Sequence, residues 1–78
     1  MELPKYRSHK VVEAAPIEFL TEGMVHVKVG ETIHGVAVPE DFYGRGTPQL
    51  GDYIVRYQPD GYLSWSPREA FEDGYTRL

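Results

Sequence analysis

A mainly β fold is predicted for this chain of 78 residues: a small antiparallel sheet or partial barrel of five or six strands, with one short C-terminal helix. Three observations predict it. Aromatic and β-branched residues recur at period two in short runs. Glycine and proline clusters punctuate those runs at the positions turns require. Only one stretch, opening at Ser66-Pro67, carries the marks of a helix start.

The elements follow in order. Residues 1–9 are expected as a flexible arm of a single domain spanning residues 1–78. Lys10 to Leu20, KVVEAAPIEFL, reads as a first strand in which Val11, Glu13 and Ala15 alternate with Val12 and Ala14. Pro16 lacks an N–H, so it confines this strand to an edge or a bulge. Thr21-Glu22-Gly23 is a turn. Met24 to Val29 places Val25, Val27 and Val29 on one face. Gly30-Glu31 suits a two-residue type II′ turn, which takes glycine first; a three-residue loop is the alternative. Thr32 to Val38 returns and stops at Pro39. Glu40 to Leu50, EDFYGRGTPQL, is too polar and glycine-rich for a strand.

The last third is the most strongly specified. Asp52 to Tyr57 alternates, with Tyr53, Val55 and Tyr57 on one face and Ile54 and Arg56 on the other. Gln58-Pro59-Asp60-Gly61 supplies a preset φ, a side chain that bonds back to the backbone, and a residue tolerant of positive φ. Tyr62 to Ser66 returns with Leu63 and Trp65 on one face. Ser66-Pro67-Arg68-Glu69 has the spacing of a capping box with proline at N1. On that reading Ser66→Ala removes the cap and costs about 1 kcal/mol. Ala70 and Phe71 form the apolar side of the helix, Gly74 stands at C′, and Tyr75 to Leu78 re-enter the sheet.

Composition bounds the function. A single domain this small buries a modest share of its surface, and such domains often use a staple. Without cysteine there is neither a disulfide nor a thiolate metal site, so a homo-oligomer is expected. No apolar run approaches the length of a membrane span, and the chain reads as cytoplasmic. The net charge is −4, and the acids gather in residues 40–73. That balance argues against direct nucleic-acid binding, which needs a basic footprint. It fits either a solvated surface or mimicry of a nucleic-acid backbone toward a basic groove on another protein.

No motif points to catalysis, a cofactor or a metal. With a two-residue turn, Val27 lies opposite His34 and His26 opposite Gly35, so the two histidines point to opposite faces. Asp52 and Asp60 lie at opposite ends of one strand, too far apart for paired-carboxylate hydrolysis. Phe42 to Pro48, FYGRGTP, is the best candidate binding loop. Gly44 and Gly46 let the backbone present Arg45, and the Thr47 hydroxyl adds a donor for a phosphate or carboxylate. Arg56 is a second clamp. Tyr43, Tyr53 and Tyr57 are candidate stacking platforms for a base. The plainer alternative is a surface loop whose aromatics pack back on the sheet while Arg45 pairs with Glu40 or Asp41.

The segments KVVEA and GDYIV, with SPREAFEDGY at the end, resemble small accessory proteins of tailed bacteriophages and prophages. The matching positions are Val11 to Ala15, Gly51 to Val55 and Ser66 to Tyr75; FYGRGTP lies outside the resemblance. It implies a scaffold and a setting, the cytoplasm of a bacterial host, and carries no catalytic residues. Small non-enzymatic phage proteins of this kind often antagonise host defence. The first reading is stoichiometric binding that captures a small phosphorylated nucleotide signal at a subunit interface; the alternative is an acidic inhibitor that binds a host defence protein through its C-terminal half. A minor virion or assembly component is a third reading.

Overall fold

The computed structural model describes residues 3–7 and 11–78. Its strands are β1 (Lys5–Arg7), β2 (Val11–Thr21), β3 (Met24–Val29), β4 (Thr32–Ala37), β5 (Tyr53–Tyr57), β6 (Leu63–Ser66) and β7 (Thr76–Arg77). A 3-10 turn, Glu40–Tyr43, follows β4, and one helix, α1 (Arg68–Gly74), separates β6 from β7. All seven strands join one antiparallel sheet curled as a half-barrel. The path runs β4-β3-β2-β1-β7, with β5 also pairing β2 and β6 pairing β5. The additional strand relative to the sequence reading is β1, which falls in the segment expected as an arm. Residues 1, 2, 8 and 9 of that segment lie outside the described residues.

β2 organises the molecule. It pairs with β1 over Val11–Glu13, with β5 over Val12–Pro16 and with β3 over Ile17–Thr21. Its alternation feeds two cores. Ala15 and Ile17 join Val25, Val27, Val36, Phe42 and Ile54 on one face. Val12 and Ala14 join Tyr53, Val55 and Phe71 on the other. Between Val12 and Ile17, β2 is covered on both faces, which favours small or branched apolar residues there, and Ala14 and Ala15 are both fully buried.

Pro16 therefore sits in a central strand, at the point where pairing changes hands. The Ala14 N–H donates to Pro4 O on the β1 side. Pro16, two residues on, points the same way, where the described part of β1 has already ended. The expected irregularity falls just beyond it, as a register shift between Ile17 and Phe19.

The β3–β4 hairpin has the two-residue turn. Val29 pairs with Thr32, Val27 with His34 and His26 with Gly35. Gly30 has φ +61° while Glu31 keeps a negative φ, the type II′ combination. The second face is closed by α1, whose buried Phe71 stacks on Tyr53 and Tyr75 at 4.4 and 4.6 Å and meets Tyr6 edge-on at 4.9 Å.

The start of α1 corrects the sequence reading. Ser66 belongs to β6, opposite Tyr53, and does not cap the helix. The Arg68 N–H donates instead to Asp52 Oδ1 at 2.9 Å, and the Gln49 N–H donates to Asp52 Oδ2 at 2.8 Å. One carboxylate from the far end of a hairpin thus ties the helix start to the incoming loop. The helix begins one residue later than a capping box from Ser66 requires: Pro67 stands at the N-cap and Ser66 falls one position before it. Gly74 ends the helix inside it, without positive φ, and Tyr75 is the C-cap. Ala70 is exposed, so Phe71 alone supplies the buried side of α1.

Candidate functional site

The FYGRGTP loop is built on two inward aromatics. Phe42 is buried in the first core, and Tyr43 packs against that core and meets Phe42 edge-on at 5.1 Å. Gly46 takes φ +113°, and its N–H donates to Tyr43 O. Arg45 is thereby thrown toward β6.

Its destination follows from the ladder. The Tyr57 N–H donates to Tyr62 O. By alternation, Ser64 and Ser66 also bond toward β5, and Leu63 and Trp65 turn their backbone groups outward. The Arg45 guanidinium donates to the outward Trp65 O, lies 3.5 Å from Ser64 Oγ, and covers the Trp65 ring at 4.9 Å from its centroid. It does not pair with Glu40 or Asp41, as the plainer sequence alternative had it. Trp65 Nε1 is buried with no hydrogen-bond partner among the described residues.

The remaining candidates scatter. Arg56 Nε donates to Glu13 Oε1 at 2.7 Å in a cross-strand ion pair whose glutamate is largely buried. Tyr53 is buried against Phe71, and its O–H donates to Glu72 Oε2 at 2.8 Å. Burial, and then that carboxylate, push the Tyr53 phenol well above its usual range. Tyr57 is half-buried, stacked at 6.4 Å from Tyr62. Burial raises its phenol too, and the nearby Arg45 charge opposes the shift. Thr47 is exposed in the loop. The fold thus brings Arg45 and Tyr57 within electrostatic reach of each other. Arg56, Tyr43 and Tyr53 are held in other contacts and do not complete a pocket with them.

Two concavities lie elsewhere. One, of about 270 Å³, is lined by Lys5, Val11, Glu13 and Gln58. The other, of about 360 Å³, runs between the loop before β5 and the start of α1, lined by Gln49, Leu50, Asp52, Pro67, Arg68 and Glu69. The second combines an unusually exposed apolar side chain, Leu50 at 65%, with carboxylates. Glu69 lines it beside Arg68, whose guanidinium lies 3.7 Å from Glu72; Asp73 follows on α1, so the carboxylates outnumber the one arginine.

His26 and His34 fall on opposite faces of the hairpin, as the two-residue turn requires. No group of three or more potential metal-ligating side chains occurs among the described residues. No described helix is long and apolar enough to cross a membrane. No family model matches the chain, and comparison with curated proteins and with solved structures gave no match.

Two residues that organise the site escaped the sequence reading. Asp52 carried a legible signal, an acid placed just after a glycine at a loop end. Glu13 did as well, as a charge set among the apolar residues Val11, Val12, Ala14 and Ala15. In both cases the partner lies far away in sequence, at Arg68 and Arg56, and only the folded register names it.

Proposed function

We propose that the chain is a non-enzymatic binding protein that acts by stoichiometric association with another protein, in the phage-type counter-defence setting implied by its sequence resemblance. The contact surface is the acidic groove at α1. The partner is a protein with a basic surface, of the kind that otherwise holds a nucleic-acid backbone. The observation that carries this reading is the pairing of exposed Leu50 with Glu69 and the carboxylates that follow it on α1. An apolar anchor ringed by charge is what a steered protein interface uses.

Nucleotide capture is the weaker mode, because its two arginines are engaged within the fold. Arg45 is seated on the β6 edge and Arg56 on Glu13. A site in the acidic half would have to recover both guanidinium groups before they met a phosphate. The same reading assigns the protein to the host cytoplasm, and it leaves a virion role without a surface of its own.

The test uses charge reversal together with ligand melts. A Glu69→Lys, Asp73→Lys double variant is expected to fold and to lose the partner that wild type retains at low ionic strength. Thermal melts against linear and cyclic nucleotides are expected to show no shift. A nucleotide present at a hundred times its Kd would stabilise the chain by about 2.7 kcal/mol. Such a shift, abolished by Arg45→Ala and untouched by the charge reversal, would restore the nucleotide mode and remove the protein-binding one.

A further inference from the structure

The geometry points to the outer edge of β4 as a self-association surface, where a second copy of this chain adds its own β4 antiparallel to continue the sheet. This inference rests on the sheet and is independent of the acidic groove.

Three described strands end the sheet, and they differ. β7 has only two residues. β6 has its outward Trp65 carbonyl occupied by Arg45. β4 pairs with β3 alone among the described residues and has six residues, Thr32 to Ala37, in unbroken register. It carries no charge, no proline and no bulge, which are the features by which edges avoid pairing.

The free groups can be named. In a two-residue hairpin the residues flanking the turn are bonded to each other, so Val29 bonds Thr32, and by alternation Val27 bonds His34 and Val25 bonds Val36. The N–H and C=O groups of Ile33, Gly35 and Ala37 therefore point away from β3. Pro39, the next residue of that parity, has no N–H to give, so a donor ladder along this edge ends at Ala37. The register that uses all three outward residues places Gly35 opposite Gly35 and Ile33 opposite Ala37, about a two-fold axis at Gly35. That is the self-complementary arrangement an isologous dimer requires.

The side chains agree with the backbone. Ile33 and Phe19 are 44% and 45% exposed. Phe19 stacks on His26 at 4.3 Å, and His26 is opposite Gly35. A Cβ added at Gly35 would come within 2.7 Å of Met24 Cε and 3.4 Å of the His26 ring, so this face is already filled over the axis. Pairing at the edge would join two such strips and set each Ile33 against the partner copy's Ala37. The strand brings no like charges face to face, since Glu31 and Glu40 lie beyond its two ends.

Sedimentation equilibrium and residue-resolved hydrogen exchange test it together. Wild type is expected to dimerise at micromolar concentration. Ile33→Lys and Ala37→Pro alter only outward positions, and each is expected to weaken the dimer at least about tenfold. The exposed-turn control Gln58→Lys is expected to leave it unchanged. In the dimer, the amides of Ile33, Gly35 and Ala37 should be protected along with those of Thr32, His34 and Val36. On dilution only the second set should stay slow. A wild-type chain that is folded yet monomeric throughout overturns the inference. So does a dimer in which the first three amides exchange as fast as a loop, or one indifferent to both substitutions.

Discussion

Asp52 shows how much a single side chain can be asked to do in a chain of this size. Its two oxygens accept from Gln49 N–H and Arg68 N–H, closing the loop before β5 and the first turn of α1 at once. Asp52→Ala is expected to lower stability by about 1–2 kcal/mol, read as a shift in the urea midpoint at constant slope. Ser66→Ala is expected to stay within about 0.5 kcal/mol, the reverse of what the capping-box spacing suggests. Tyr53 gives a pH signature. Its phenol is held protonated by burial and by Glu72. The folded state therefore keeps a proton that the unfolded chain releases near the ordinary tyrosine pKa of about 10. The stabilisation is complete below that pH and is lost as pH climbs from there toward the raised folded value. Urea melts between neutral and strongly alkaline pH should show this decline in wild type and a shallower one in Tyr53→Phe. Equal slopes in the two proteins would mean that Tyr53 ionises freely.

At the scale of elements, the contrast between edges governs behaviour. β6 is a short strand whose outward carbonyl is closed by an arginine reaching across from the loop after β4. The glycines around Arg45, which in the sequence suggest presentation to a ligand, serve to turn the loop back onto the sheet. Arg45→Ala is expected to cost about 0.5–1 kcal/mol, the worth of an exposed cation–π contact and a charge-assisted bond. The emission of Trp65, the single tryptophan, should shift to the red as its ring is uncovered. If neither the melt nor the emission moves, Arg45 is not seated on β6 and is available to an anion. The hairpin of β3 and β4 was legible as two strands, from the valine alternation, the glycine-first turn and Pro39, but its turn stayed open between two and three residues until the paired strands fixed the register. The long β2 was legible as a strand but not as a central one, because a proline inside a strand ordinarily marks an edge. Only the hand-over of partners along β2 makes room for it.

The whole molecule stands on two small cores back to back across β2 and β5. The second depends on one residue of α1. Phe71→Ala would remove the ring that Tyr6, Tyr53 and Tyr75 pack around, at a cost of about 3–5 kcal/mol. Set against a total of about 5–15 kcal/mol for a typical domain, that loss should leave the variant largely unfolded at 37 °C by circular dichroism. A variant with a near wild-type melt would show that α1 is dispensable to the core. The sequence by itself determined the β class, the positions of three of the turns, the helix after Pro67 and the returning last strand. Those features rest on local physics: side-chain period, positive φ at glycine, and the restrictions of proline. The tertiary structure alone decided that Lys5–Arg7 is a strand, that Asp52 and not Ser66 holds the helix start, and that Arg56 faces Glu13. It also set Arg45 on the edge of β6. Each of these joins residues far apart in the chain, and the energy of such a contact exists only once the sheet has fixed which residues are neighbours.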